Sequence, residues 1–238
     1  TIEFRGEPEP SLLTAAPPSG ETCWWSNRGD SIDSTLTRSI DLGGVDAATL
    51  EYWVFYDIEE SWDYAYVMVS ADDSGTWDIL DTRRSSSFDP NGNAYGPGLT
   101  GQSAGWVPDS VDLSEYAGRQ ILLRLEYITD DAVFTKGACF DDFEIPEIGW
   151  SDDTSDTGGW VAAGFGLVEE TVPTQYLLQV IHEKNVGDPV VYRVPVDAFG
   201  TGRLVVEGIG DDDLIVAVVS ALTRHSTTPT EYTLGINP

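Results

Sequence analysis

The sequence is poor in basic residues. Its 238 residues include 12 Lys and Arg against 41 Asp and Glu, which gives a formal net charge of −29. Only Lys136 and Lys184 are lysines, and the arginines are scattered. A nucleic-acid-binding surface needs clustered cations that displace counterions from phosphate, and anionic membranes attract the same clusters. The composition therefore excludes nucleic acid as a partner and disfavours anionic membrane surfaces.

Long hydrophobic runs are also missing. The longest, Leu214 to Ala221, is far shorter than the roughly 20 residues that a helix needs to cross a bilayer, and the N-terminus carries no basic-then-apolar leader. We therefore predict no membrane insertion. Hydrophobic residues still make up 41% of the chain and aromatic residues 11%, which is enough to build one or two cores.

Cysteine is scarce, with Cys23 and Cys139 alone. Two cysteines are too few for a disulfide scaffold or a structural zinc site, but they suffice for one bridge in a secreted protein. Both fall in predicted strands, at the start and the end of the first apolar block, and such strands often lie side by side in a β-sandwich. We favour a disulfide between them over two buried thiols.

From Glu21 onward, runs rich in Val, Ile, Tyr, Trp and Thr alternate with clusters of Gly, Asp, Ser and Pro, and no run keeps a helical period. Eight such runs suit a two-sheet sandwich. The eight predicted strands are Thr22–Asn27, Thr35–Leu42, Thr49–Ile58, Tyr64–Ala71, Thr76–Leu80, Gly105–Leu113, Arg119–Thr129 and Gly137–Ile145.

Composition shifts divide the chain into four parts. We predict an N-terminal strand and linker over residues 1–20, a sandwich over 21–148, a linker rich in Asp, Ser, Thr and Gly over 149–158, and a small β domain over 159–238. The fold class is thus all-β, with a jelly-roll-like β-sandwich followed by a smaller β-sandwich domain.

The predicted strand Thr49–Ile58 has no polar face. Tyr52, Val54 and Tyr56 alternate with Trp53 and Phe55, so each side of the strand is apolar. We expect a loop, a neighbouring domain or a partner to cover the second side. Trp53 and Phe55 are therefore the predicted binding surface.

Two segments resemble catalytic motifs, but the residues around them do not suit catalysis. Gly101–Gly105 matches the G-x-S-x-G pattern, but the strand and helix that would hold a nucleophilic serine on a strained turn do not flank it. His182 and Glu183 begin like H-E-x-x-H, yet Val186 stands at the position of the second histidine, and the one other histidine, His225, is distant. We predict that the chain is not an enzyme.

Carboxylates concentrate around one turn between two aromatic strands. Asp57 and Glu59 are two residues apart, hence on one face of a continuing strand, and Asp63 returns from the other side of the turn. Such carboxylates repel one another unless a hard cation with oxygen ligands neutralises them, and calcium is the natural candidate. Asp142, on another strand, and Asp30 are the further predicted ligands. The alternative is that these groups only decorate a solvated rim.

Several motifs occur in the order that is typical of one known family. The sequence resembles the MAM-like β-sandwich region of the immune inhibitor A metallopeptidases, peptidase family M6, over about residues 20 to 148, and the tail from Gly159 resembles the small β domain that follows it. The motifs are Trp24–Asp30, Thr35–Leu42, Tyr56–Tyr66, Val69–Trp77, Gly98–Trp106, Val111–Gly118, Tyr127–Val133 and Phe140–Ile145.

The resemblance implies a secreted bacterial protein, with the cell surface as an alternative location, and an accessory role beside a zinc protease domain that this chain lacks. It also implies a calcium site, and the matching motifs assign its ligands to Asp30, Asp57, Glu59, Asp63 and Asp142. Expected partners are a neighbouring domain or a protein or polysaccharide ligand. Two rival functions stay open, a self-assembling filament or surface-layer subunit and a carbohydrate-binding module.

Overall fold

A computed structural model describes the chain except residues 8–15, 73–74, 170–173, 198, 223–229 and 238. The described residues form 18 strands and two short 3-10 turns, Ser114–Tyr116 and Pro146–Ile148. They separate into two compact units, which we call the sandwich unit (Leu13–Glu170) and the small unit (Thr1–Leu12 with Thr171–Pro238). The all-β prediction is confirmed.

The strands are numbered along the chain. The first nine are β1 (Ile2–Gly6), β2 (Thr22–Trp25), β3 (Asp33–Asp41), β4 (Thr49–Ile58), β5 (Tyr64–Ser70), β6 (Asp78–Ile79), β7 (Gly101–Gln102), β8 (Val107–Asp112) and β9 (Gln120–Ile128). The others are β10 (Gly137–Ile145), β11 (Trp150–Asp152), β12 (Val161–Ala163), β13 (Gly166–Glu169), β14 (Tyr176–Glu183), β15 (Val190–Val194), β16 (Thr201–Leu204), β17 (Leu214–Ala221) and β18 (Tyr232–Ile236).

Two antiparallel sheets build the sandwich unit. One has the order β13-β2-β10-β4-β7, with β11 beside β10 and β8 beside β4, and the other has the order β12-β3-β9-β5-β6. Strand β9 illustrates why these residues form the core, because Ile121, Leu123, Leu125 and Tyr127 are buried whereas the residues between them are half-buried. This period of two is the pattern of a strand with one face against a core.

The second face of β4 is partly covered by the protein itself. Phe55 is only 3% exposed, and the ring of Trp106, which precedes β8, lies with its centroid 6.2 Å from that of Phe55. The prediction that Phe55 belongs to an accessible binding surface is therefore wrong, because a loop of the same unit buries it. Trp53 keeps 36% of its surface exposed.

A disulfide joins Cys23 of β2 to Cys139 of β10, with the two Cα atoms 5.9 Å apart. The two strands are neighbours in the first sheet, where Cys139 lies opposite Trp25. The bridge closes a loop with a sequence separation of 116 residues. If its effect is entropic, a cross-link over that length raises the free energy of the unfolded chain by up to about 4–5 kcal/mol.

The structure divides the chain differently from the predicted boundaries. Strands β12 and β13 extend the two sheets of the sandwich by pairing with β3 and β2, and Trp160 and Phe165 lie in its core. The predicted linker over 149–158 and the predicted start of the small domain at 159 therefore fall inside the sandwich unit. In this segment, isolated aromatic residues fill the core. The sequence therefore has no periodic apolar pattern from which the strands could be predicted.

The small unit is a sandwich of two three-stranded sheets, with orders β16-β1-β18 and β15-β14-β17. Its core contains Phe4 of β1 and Leu178 and Val180 of β14. The predicted N-terminal strand thus belongs to this unit, and residues 8–15 of the predicted linker lie outside the described part of the chain. Among the described residues, no helix has the length and apolar character that a membrane crossing requires.

Candidate metal centre

The turn between β4 and β5 brings two carboxylates together. The backbone N–H groups of Trp62 and Asp63 both donate to the carbonyl of Glu59, at 3.3 and 3.1 Å. Ser61, in the left-handed region with φ 64°, donates its N–H to the hydroxyl of Thr100 at 2.8 Å. These bonds close the turn, so that Glu59 and Asp63 stand at its two ends.

A third carboxylate comes from the loop after β9. Tyr64 lies opposite Ile128 in the second sheet, so the residues that follow β9 meet the β4–β5 turn. The N–H of Asp130 donates to Oδ1 of Asp63 at 2.9 Å. One carboxylate oxygen from each of Glu59, Asp63 and Asp130 lies within 4.8 Å of the other two. We call these three residues the carboxylate cluster.

Several oxygens of this region are buried without a hydrogen-bond partner. Asp63 is fully buried, and Glu59 is half-buried. Within the described part of the chain, Oδ2 of Asp63, Oε2 of Glu59 and the hydroxyl of Tyr127 make no hydrogen bond of good geometry, although the Tyr127 hydroxyl lies close enough to Asp63 to interact with its carboxylate. A buried polar atom that lacks a partner is costly, and a buried carboxylate oxygen more so. This cost requires an explanation.

The cluster generates a strongly negative local potential. Burial raises the pKa of Asp63 to about 6; the N–H of Asp130 opposes this rise, while the negative charges of Asp130, Glu59 and Asp30 add to it. Burial, with the charges of Asp130 and Asp30, also raises the pKa of Glu59. Burial and the nearby Asp63 raise the pKa of Tyr127. A positive charge placed here would stabilise the ionised carboxylates.

The donor set is made only of oxygen. Hard divalent cations, calcium in particular, take six to eight oxygen ligands from carboxylates, carbonyls and water. The partnerless oxygens of Glu59 and Asp63 are donors of this kind. Nitrogen and sulfur ligands, which zinc and copper favour, are absent from the cluster. The residues present therefore fit calcium.

The predicted ligands fall into separate places. Glu59 and Asp63 lie in the carboxylate cluster. Asp30 lies in the loop between β2 and β3; it is exposed, and its charge acts on both clustered residues. Its oxygens, however, are not among the three that lie within 4.8 Å of one another.

The other two predicted ligands are not in the carboxylate cluster, although the charge of Asp57 contributes to raising the pKa of Tyr127. Oδ1 of Asp57 accepts a hydrogen bond from the side chain of Gln102 at 2.9 Å. Asp142 is five residues along β10 from Gly137, the strand partner of Asp57, hence about 16 Å away at the usual rise of a strand. The expectation that Asp142 joins the other ligands is wrong, because β10 runs away from the turn before it reaches this residue.

Asp142 and Trp53 instead line a groove with a volume of about 880 Å³ at the other end of β4. Asp142 occupies an irregularity of β10, with φ 50°, and accepts a hydrogen bond from the hydroxyl of Ser19. Arg38 and Arg83 are the basic residues among the residues that line this groove.

Asp130 and Tyr127 are the residues that sequence reasoning missed. Nothing in the local sequence Thr129-Asp130-Asp131 separates Asp130 from an ordinary strand end. The missing information is the pairing of β9 with β5, which places that strand end beside the β4–β5 turn. A correct pairing of these two strands would have found both residues.

The motifs that imitate catalytic sites have structural roles. The hydroxyl of Ser103, the central residue of Gly101–Gly105, accepts the N–H of Tyr56 at 2.9 Å and lies 3.1 Å from the carbonyl of the same residue. His182 is buried and lies with Nε2 2.7 Å from Oδ2 of Asp213. His225 lies outside the described residues.

These features define an acidic, disulfide-bonded β-sandwich with a cluster of oxygen donors on its loops. A sequence profile of the family described as "Immune inhibitor A-like, MAM domain" matches residues 6–168. The match covers more than half of the chain, and the protein belongs to this family.

Two curated relatives carry names that state an activity. The chain is 30% identical to Pre-pro-metalloprotease PrtV of Vibrio cholerae serotype O1 over 153 residues, which is 63% of this chain and 16% of the relative. It is 26% identical to Immune inhibitor A of Bacillus thuringiensis subsp. alesti over 162 residues, 66% of this chain and 22% of the relative. The aligned region thus spans less than a quarter of either relative.

Proposed function

We propose that the chain is a non-catalytic, calcium-stabilised accessory segment of a secreted metalloprotease-like protein. The carboxylate cluster carries this proposal, because three acidic groups whose oxygens lie within 4.8 Å of one another include two buried oxygens without a hydrogen-bond partner among the described residues. A bound calcium ion would remove both the repulsion and the cost of the unpaired oxygens.

Calcium would act by joining two parts of the sandwich unit. Glu59 and Asp63 belong to the β4–β5 turn, and Asp130 belongs to the loop after β9. An ion held by both parts binds the folded state and not the unfolded chain, so its binding free energy adds to the free energy of unfolding. At a calcium concentration 100 times the Kd, this contribution is about 2.7 kcal/mol.

The accessory role and the extracellular location are supported by other observations. Residues 6–168 match a MAM-domain profile, and the stretches aligned with relatives named as a metalloprotease and as Immune inhibitor A make up only 16% and 22% of those relatives. The disulfide between Cys23 and Cys139 is typical of an oxidising compartment, and the net charge of −29 favours solubility. The partner that we propose is a neighbouring domain of the same parent protein.

The experiment is thermal unfolding of the full chain in calcium and in chelator, with two matched variants. Glu59→Gln alters the cluster, and Glu60→Gln alters an exposed neighbour in the same turn. We expect chelator to lower the Tm of the wild type and of Glu60→Gln by equal amounts, and to have much less effect on Glu59→Gln. Identical wild-type melting curves in calcium and in chelator would refute the proposal.

A further inference from the structure

A cavity of about 310 Å³ beside the β4–β5 turn is lined by four aromatic residues: Trp62, Tyr64, Tyr66 and Tyr95. Its volume lies at the lower end of the range for small-molecule sites. Trp62 is 42% exposed and Tyr95 is 73% exposed, so two large rings face solvent at its mouth. Grouped aromatic rings exposed around a concavity are typical of binding sites, whereas single exposed apolar residues are ordinary.

Internal contacts hold the walls of the cavity in place. The rings of Tyr64 and Tyr66 stack at 6.0 Å with an interplanar angle of 17°, and the ring of Tyr95 stands at 71° to that of Tyr66. The hydroxyl of Tyr66 accepts the N–H of Tyr95 at 3.1 Å. The side-chain amide of Asn93 donates to the carbonyl of Trp62 at 3.3 Å. The site is therefore formed before any ligand arrives.

Polar groups accompany the rings. The hydroxyl of Tyr64 is buried and lies beside the side chains of Ser61 and Asp89; burial of the ring and the charge of Asp89 raise its pKa. Tyr64 itself is only 1% exposed. The side chains of Asn93 and Asp130 also line the cavity. A ligand with apolar faces and with hydroxyl groups would satisfy both kinds of surface.

We infer that this cavity binds a sugar ring of a glycan. The apolar C–H face of a pyranose would pack on Trp62 or Tyr95, and its hydroxyl groups would bond to Asn93 or Asp130. A quaternary ammonium ion fits aromatic walls but offers no hydrogen bond to the side chain of Asn93. A nucleotide carries phosphates that Asp130 and the net charge of −29 would repel.

The inference goes beyond the proposed calcium role and does not depend on it. The rings of Trp62 and Tyr95 and the side chain of Asn93 line the cavity, and none of these residues belongs to the carboxylate cluster. Asp130 is common to the two sites. Thermal unfolding in chelator tests calcium alone, so failure of one idea is distinguishable from failure of the other.

The test is calorimetric titration of the full chain, in calcium-containing buffer, with hexasaccharides of glucose, N-acetylglucosamine, mannose and xylose and with tetramethylammonium chloride. We expect at least one hexasaccharide to bind. Trp62→Ala and Tyr95→Ala should each weaken that binding by at least about tenfold, since large exposed aromatic residues dominate such contacts. Asn93→Ala should weaken it about two- to tenfold through the lost hydrogen bond.

Phe88→Ala is the matched control, because Phe88 is an aromatic residue with 70% exposure that does not line the cavity. It should change saccharide affinity less than about twofold, within the ordinary effect of a surface substitution. Circular dichroism of each variant verifies the fold. Absence of binding by all four hexasaccharides overturns the inference. Binding that survives both Trp62→Ala and Tyr95→Ala, or binding of tetramethylammonium alone, overturns it as well.

Discussion

Asp63 and Asp141 are two fully buried aspartates of the sandwich unit, and their surroundings differ. Each has one carboxylate oxygen without a hydrogen-bond partner among the described residues, and burial raises the pKa of each to about 6. Oδ1 of Asp63 accepts the N–H of Asp130 at 2.9 Å, and Asp63 also faces two further carboxylates. Oδ1 of Asp141 instead lies 2.7 Å from the hydroxyl of Thr154 and accepts the N–H of Asp142 at 2.8 Å.

The comparison separates burial from crowding of charge. A buried aspartate with hydroxyl and N–H donors is a structural link, and here it joins β10 to the segment that contains Thr154. Asp63, with two other carboxylates at its side, has more negative charge around it than the one N–H donor of Asp130 offsets. On this account, only the region of Asp63 needs a cation.

The largest expected effect is at Asp141, the aspartate that needs no metal on this account. Asp141→Ala should lower the free energy of unfolding by about 2–4 kcal/mol, because Thr154 and the N–H of Asp142 lose a buried acceptor and a small cavity forms. The loss should be equal in calcium and in chelator, measured by urea denaturation. If the loss occurred only in calcium-containing buffer, a metal would bind at Asp141, and the proposed difference between Asp141 and Asp63 would be wrong.

Asp63→Asn should have an effect that depends on the buffer. In calcium it should lower the free energy of unfolding by about 3 kcal/mol, since the cation's contribution is lost. In chelator it should be neutral or stabilising, because it removes a buried charge that has no counter-charge. Urea denaturation in both buffers gives the two values. Equal destabilisation in both would make Asp63 a structural link like Asp141.

The pH dependence in chelator should reflect both aspartates. A folded-state pKa of about 6 lies above the ordinary value of 3.8, so the folded state binds the proton more tightly than the unfolded chain. Stability should therefore fall by about 2 kcal/mol for each group as the pH rises from about 4 to about 6. Thermal scans of Asp63→Asn should show about half of this fall. If Asp63→Asn and the wild type showed the same dependence of Tm on pH, Asp63 would not be one of the two titrating groups.

Calcium should reverse the pH trend at Asp63 alone. The cation competes with the proton for the same carboxylate, so the difference in Tm between calcium and chelator should grow as the pH rises through about 6. Asp141→Asn should leave this growth intact, whereas Asp63→Asn should abolish it. A Tm difference that is constant with pH would show that calcium acts away from Asp63.

The smallest effect is expected at Asp57 and Asp142, the two predicted ligands that are outside the carboxylate cluster. Asp57→Asn and Asp142→Asn should each change the free energy of unfolding by no more than about 1 kcal/mol. Neither should alter the effect of chelator on the Tm. If either variant removed the chelator effect, the calcium ligands would extend beyond the three carboxylates of the cluster.

Local patterns in the sequence were sufficient for part of the fold and of the site. Alternation predicts β9 nearly to its ends, since Arg119–Thr129 was expected and Gln120–Ile128 is found. The turn between two aromatic strands predicts that Glu59 and Asp63 approach each other. Both inferences need only the period of a strand and the reversal of a hairpin.

Other features depend on contacts between distant segments. Asp130 reaches the turn because β9 pairs with β5, and Phe55 is covered by Trp106 from another loop. The position of Asp142 follows from how far β10 runs past the turn. Trp160 enters the core from a segment without strand periodicity. Local propensity contains no information on these long-range contacts, which explains the wrong predictions for Phe55, Asp142 and the 149–158 boundary.

The most direct test of the central claim is calorimetric titration of calcium into the metal-free wild type, Asp63→Asn and Asp141→Asn at about pH 7, where both aspartates would be ionised. We predict saturable binding to the wild type and to Asp141→Asn, with closely similar affinities, and loss of binding in Asp63→Asn. Absence of calcium binding by the wild type, or binding that is unchanged in Asp63→Asn, would contradict the claim.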